Sequence, residues 1–102
     1  MSKTVYRYQF DPEVPADEID ATLLLALLAT QSLHGESRVR LDTSHGFDPE
    51  HQACAIDASN QVGVDLNRLF VGFITREFGA DSFRVERIHE APRAQPQEPA
   101  SV

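Results

Sequence analysis

From Ser37 to Asp57 the chain reads SRVRLDTSHGFDPEHQACAID, and how this stretch is parsed decides the fold. Ser37-Arg-Val-Arg-Leu-Asp42 alternates polar and apolar residues, the period of a half-buried strand, with Val39 and Leu41 inward and Arg38 and Arg40 outward. Asp42 to Gln52 is polar and carries Gly46 and Pro49, so it reads as a loop or long hairpin connection that Phe47 pins to the body. Ala53-Cys-Ala-Ile-Asp57 reads as a second short strand, with Cys54 and Ile56 on one side.

Outward from this centre lie two helical stretches. Before it, Ile19, Leu23, Ala26, Leu27 and Thr30 recur at spacings of three and four, and Leu24 and Leu28 widen the stripe. That breadth predicts a helix buried against a sheet, starting near Asp17 as its cap and stopping at Gly35. Glu18 and Asp20 suit the positive end of its dipole, and His34 the other end. After the centre, Ser59 or Asn60 caps a helix that runs to about Phe78, with Val62, Leu66, Leu69, Phe70 and Phe73 on one side and Gly79 as its stop. Gly63 and Gly72 weaken it by roughly 1 kcal/mol each relative to Ala.

Strands close both ends. Val5-Tyr-Arg-Tyr-Gln-Phe10 puts Tyr6, Tyr8 and Phe10 on one face and Arg7 and Gln9 on the other, and Pro12 and Pro15 end it. Ser82-Phe-Arg-Val-Glu-Arg-Ile88 is the last strand. The order βαββαβ implies an α+β two-layer sandwich of ferredoxin-like type, a four-stranded antiparallel sheet with two helices on one face. Residues 1–89 form this single domain; 90–102, with Pro92, Pro96 and Pro99 and almost no bulky apolar residue, are expected to be a disordered tail.

The uncovered face of such a sheet is where function is expected. Arg7, Arg38, Arg40 and Arg84 point there together with Glu86, around shallow ground at Ala53 and Ala55. A solvated face with cross-strand charge pairs is the plain reading; a surface for self-association or for another protein is the functional one. Nucleic acid is disfavoured. The chain of 102 residues carries 16 acids against 9 bases, a net charge of −7, and the first strand's aromatics belong to the core side.

Little else carries chemistry. Asp57, Ser59, Asn60 and Gly63 sit where a strand hands over to a helix, a junction able to hold an anion or polar ligand but equally explained by helix capping. The glycines and lysine of a phosphate-binding loop are missing. Asp42, His45, Asp48, Glu50 and His51 crowd the middle loop without a recognised metal spacing, so neither metal nor cofactor is expected. The single cysteine, Cys54, falls on the core side, which excludes an internal disulfide and points to a buried small hydrophobe. With no signal-like leader and no apolar run long enough for a bilayer, a cytoplasmic location without membrane contact follows. These readings converge on a small non-enzymatic interaction or assembly domain, homo-oligomeric. Its rival is a small-molecule-binding regulator or enzyme using the 57–63 turn.

Overall fold

In a computed structural model describing residues 3–90, the elements run β1 (Lys3–Phe10), α1 (Ala16–His34), α2 (Glu36–Asp42), β2 (His45–Asp48), β3 (Ala53–Asp57), α3 (Gln61–Phe78) and β4 (Phe83–Glu90), with a 3₁₀ turn at Ala80–Ser82 before the last strand. The strands form one antiparallel sheet in the order β2-β3-β1-β4. This is an α+β domain of roughly ferredoxin-like topology, carrying three helices where the sequence implied two. The expected tail lies, beyond Glu90, outside the described residues.

The register sorts the sheet into two faces, because directly opposed residues point the same way. Tyr8 opposes Cys54 and Val85, Tyr6 opposes Ile56, and Phe10 opposes Phe83. Tyr8, Phe10, Cys54 and Ile56 are buried with Ile19, Leu23 and Ala26 of α1 and Leu66, Phe70 and Ile74 of α3 in one core. Phe70 is its keystone, edge-on to Tyr8 at 5.1 Å and to Phe10 at 6.4 Å between ring centroids. Truncating it to alanine would cost roughly 3–5 kcal/mol.

Residues 36–42 correct the first reading. They form α2, so Arg38 and Arg40 do not reach the open sheet face. Seven residues of alternating type fit a strand and a short helix alike. Here i,i+4 pairs tip the balance, Arg40 to Glu36 at 2.8 Å and Arg38 to Asp42 at 3.0 Å. Val39 is buried as expected, whereas Leu41 is 79% exposed. The second strand lies instead within the supposed loop, as β2, where Phe47 opposes Cys54 and packs on the core. Gly35 (φ 89°) separates α1 from α2, and Gly79 (φ 90°) ends α3, both in backbone that favours glycine.

Two expectations about α1 also change. Pro15, not Asp17, stands at its N-cap, and no side chain caps it. Ile19, Leu23, Ala26 and Thr30 are buried, but Leu24 and Leu28 are not. The sheet is only four strands wide and α3 already flanks α1, so one stripe of the helix finds cover and the rest faces outward.

Close packing of α3 on the sheet depends on Gly63. A Cβ there would sit 2.1 Å from the Asp57 carbonyl oxygen, a backbone atom with little freedom to yield. Gly63→Ala, which gains helix propensity, should nonetheless lower stability by about 2 kcal/mol or more, read as a fall in the denaturation midpoint.

Candidate functional site

The open sheet face is built from the strand positions opposite the core: Val5, Arg7 and Gln9 on β1, Ala53, Ala55 and Asp57 on β3, Gly46 and Asp48 on β2, and Arg84, Glu86 and Ile88 on β4. The sequence placed Arg7, Arg84, Glu86, Ala53 and Ala55 together here, and the register does the same. Small residues at Gly46, Ala53 and Ala55 leave hollows between the longer side chains. One of about 360 Å³ is lined by Arg7, Gln9, Ala53, Arg84 and Glu86. A second, of about 240 Å³, lies over Val5, Gly46, Ala55 and Asp57. Both are open troughs. Among the described residues neither Arg7 nor Arg84 is part of an ion pair.

The 57–63 turn is held by its own bonds. Asp57 Oδ1 accepts from the Ser59 amide at 2.9 Å, and Asn60 Oδ1 caps α3 by accepting from the Gly63 amide at 2.8 Å. Ser59 Oγ accepts from the Thr4 amide at 2.9 Å, tying the turn to β1, and Asn60 Nδ2 donates to the Asp42 carbonyl at 2.8 Å, tying it to α2. The structure thus brings Asp57, Ser59, Asn60 and Gly63 together, Asp57 and Gly63 bonded within the turn and Ser59 and Asn60 joining it to its neighbours.

The middle-loop residues divide. Asp48, Glu50 and His51 present ligand atoms within 4.8 Å of one another, all exposed. Their arrangement is that of a hairpin turn, Asp48 accepting from the Glu50 amide at 3.1 Å and from His51 Nδ1 at 2.7 Å. The His51 bond holds the Asp48 carboxyl below its ordinary value. His45 stands on β2 and Asp42 at the end of α2, outside that group.

His34 and Asp65, a pair that sequence reading missed, join the end of α1 to α3 at 2.8 Å. Their separation along the chain hides them; only the packing of the two helices brings them together. The hydrogen bond from His34 holds the Asp65 carboxylate below its ordinary 3.8. Its contribution to stability is therefore present above that value and lost as pH falls through the folded-state value. Wild type and Asp65→Asn should differ in urea midpoint near pH 7, and the gap should close as acidification protonates the Asp65 carboxylate in the folded state.

Cys54 is buried, and burial pushes its thiol up to about 12, with the charge of Asp20 acting in the same direction. Burial likewise raises the Tyr8 hydroxyl, which donates to Asn67 Oδ1. Neither group is poised to ionise at neutral pH. Native protein should leave Ellman's reagent essentially unreacted and release one equivalent of thiolate product on denaturation.

One further surface feature includes Leu24, Leu28 and Leu41, which were expected to be covered. Leu24, Leu25, Leu28 and Leu33 on α1 are each more than half exposed, with Leu41 on α2. Between Asp20 and His34 no charged residue interrupts α1. Isolated exposed leucines are ordinary, whereas several on one charge-free stretch of a helix make an unusually apolar surface.

Neither the known protein-family models nor the curated proteins searched contain a match to this chain. No helix among the described residues is long and apolar enough to cross a membrane.

Proposed function

We propose that this chain is a non-enzymatic assembly domain that associates with copies of itself through the outer face of α1. The observation that carries this reading is the cluster of exposed leucines at positions 24, 25 and 28 on a stretch without charge. A symmetric contact sets residues near its two-fold axis against their own twins, so a charge at the axis repels itself while leucine does not. Completing the burial of each half-exposed leucine contributes roughly 1 kcal/mol, about half the value for full burial of such a side chain.

Several features support an assembly role over a catalytic one. The turn residues of the 57–63 segment are engaged in holding elements together, and the one thiol is buried. A free, buried cysteine suits the reducing interior of a cell, and we place the protein in the cytoplasm. The net charge of −7 opposes a polyanionic partner.

A stable contact needs about 800 Å² from each partner, and the outer face of a 19-residue helix, about 28 Å long, supplies much of that. Leu25→Glu combined with Leu28→Glu should therefore reduce the solution mass measured by multi-angle light scattering while preserving the circular dichroism spectrum. An unchanged mass, or a wild type that stays monomeric at high concentration, would refute the α1 contact.

A further inference from the structure

β4 closes one side of the sheet, and among the described residues it bonds to β1 alone. The phase of the ladder fixes which of its backbone groups look outward. The Asp11 amide donates to the Ser82 carbonyl at 2.8 Å, continuing the register in which Phe10 opposes Phe83. The Phe10 amide donates the other way, to Gln52 at 3.1 Å, on the β3 side. Bonding alternates along an antiparallel pair. Arg84, Glu86 and Ile88 therefore direct their backbone groups to β1, and Phe83, Val85 and Arg87 turn theirs to the free edge. Val85 is 48% exposed there, on the side of the sheet that carries the helices.

We propose that β4 pairs antiparallel with β4 of a second copy about a two-fold axis passing between the two Val85 residues, making one continuous sheet of the two domains. The outward groups of Val85 meet those of Val85 of the partner subunit, and Phe83 meets Arg87 of the partner subunit. On the open face, Arg84 lies against Glu86 of the partner subunit, and Glu86 against Arg84 of the partner subunit. These two are wide pairs, in which opposed side chains approach closest. Within the chain neither Arg84 nor Glu86 is part of an ion pair among the described residues.

The strand itself favours a second copy over a foreign strand. Arg84-Val85-Glu86 is its own charge complement when reversed. Centring the pair on Arg84, Glu86 or Arg87 would set like charges together at the axis. Charges commonly protect a free strand edge from indiscriminate pairing; here they disfavour the registers centred on Arg84, Glu86 and Arg87 and suit the one centred on Val85. The contact uses a different surface from the α1 leucines and stands independently of them.

The test uses the full chain carrying Leu25→Glu and Leu28→Glu, so that the helix contact is silent, followed by sedimentation equilibrium. This background should remain a dimer. Arg84→Glu alone and Glu86→Arg alone should each raise the dimer dissociation constant at least about tenfold, since like charges then oppose. Mixing the two single variants should restore a mixed dimer, and both changes in one chain should restore self-pairing. Val85→Pro, which deletes an outward amide and spares the amides bonded to β1, should give a folded monomer. A monomeric background, single reversals that stay dimeric, or a mixture that stays monomeric would overturn the β4 pairing. The helix contact is judged separately, by the same charge variants with wild-type leucines: there, loss of every dimer by charge reversal alone would reject α1 and retain β4.

Discussion

The closeness of α3 to the end of β3 governs this molecule. At Gly63 the helix backbone lies where any side chain would strike the Asp57 carbonyl, and only that distance lets Leu66, Phe70 and Ile74 descend onto Tyr8 and Phe10. The turn before the helix is correspondingly rigid. Asn60 reaches α2, Ser59 reaches β1, and Asp57 braces the bend between them. What resembles a polar ligand loop in sequence acts as a joint where two central strands and two helices are fastened at one point. Local hydrogen bonding and close packing are here one constraint.

The parts of the fold that sequence made legible rest on strong local signals. β1 announces itself through aromatics at every second residue, and α3 through Asn60, its apolar stripe and Gly79. Their parity also placed Arg7, Arg84, Ala53 and Ala55 correctly on one face. The centre was harder. Ser37 to Asp42 satisfies a two-residue period and a helical one equally over such a short span, and only the Glu36–Arg40 and Arg38–Asp42 spacings hinted at helix. β2 has four residues and a glycine, too little for alternation to show. The roughly ferredoxin-like topology was therefore legible, while a third helix stands where the second strand was expected, and two arginines were carried to the wrong surface with it.

The leucines of α1 mark a different limit. Periodicity identifies an apolar face but not the breadth of what it rests on. How much of that face finds cover depends on how many strands lie beneath and whether another helix already occupies the flank. Ile19, Leu23 and Ala26 meet the core, and the side chains a third of a turn away run out of sheet. The His34–Asp65 contact was hidden for a similar reason, since it exists only once two helices have been set side by side.

The placement of β1 at the middle of the sheet has a consequence during synthesis. Of the four strands of this sheet it is made first, yet both of its neighbours, β3 and β4, are made later, and β4 is the last of the four. Until β3 and α3 have followed, α1 lacks the surface that shelters Ile19 and Leu23, and its apolar stripe is open to the surroundings. The sheet of this domain is thus completed only once β4 has emerged, and the interval before that is when its apolar segments are most open to misassociation.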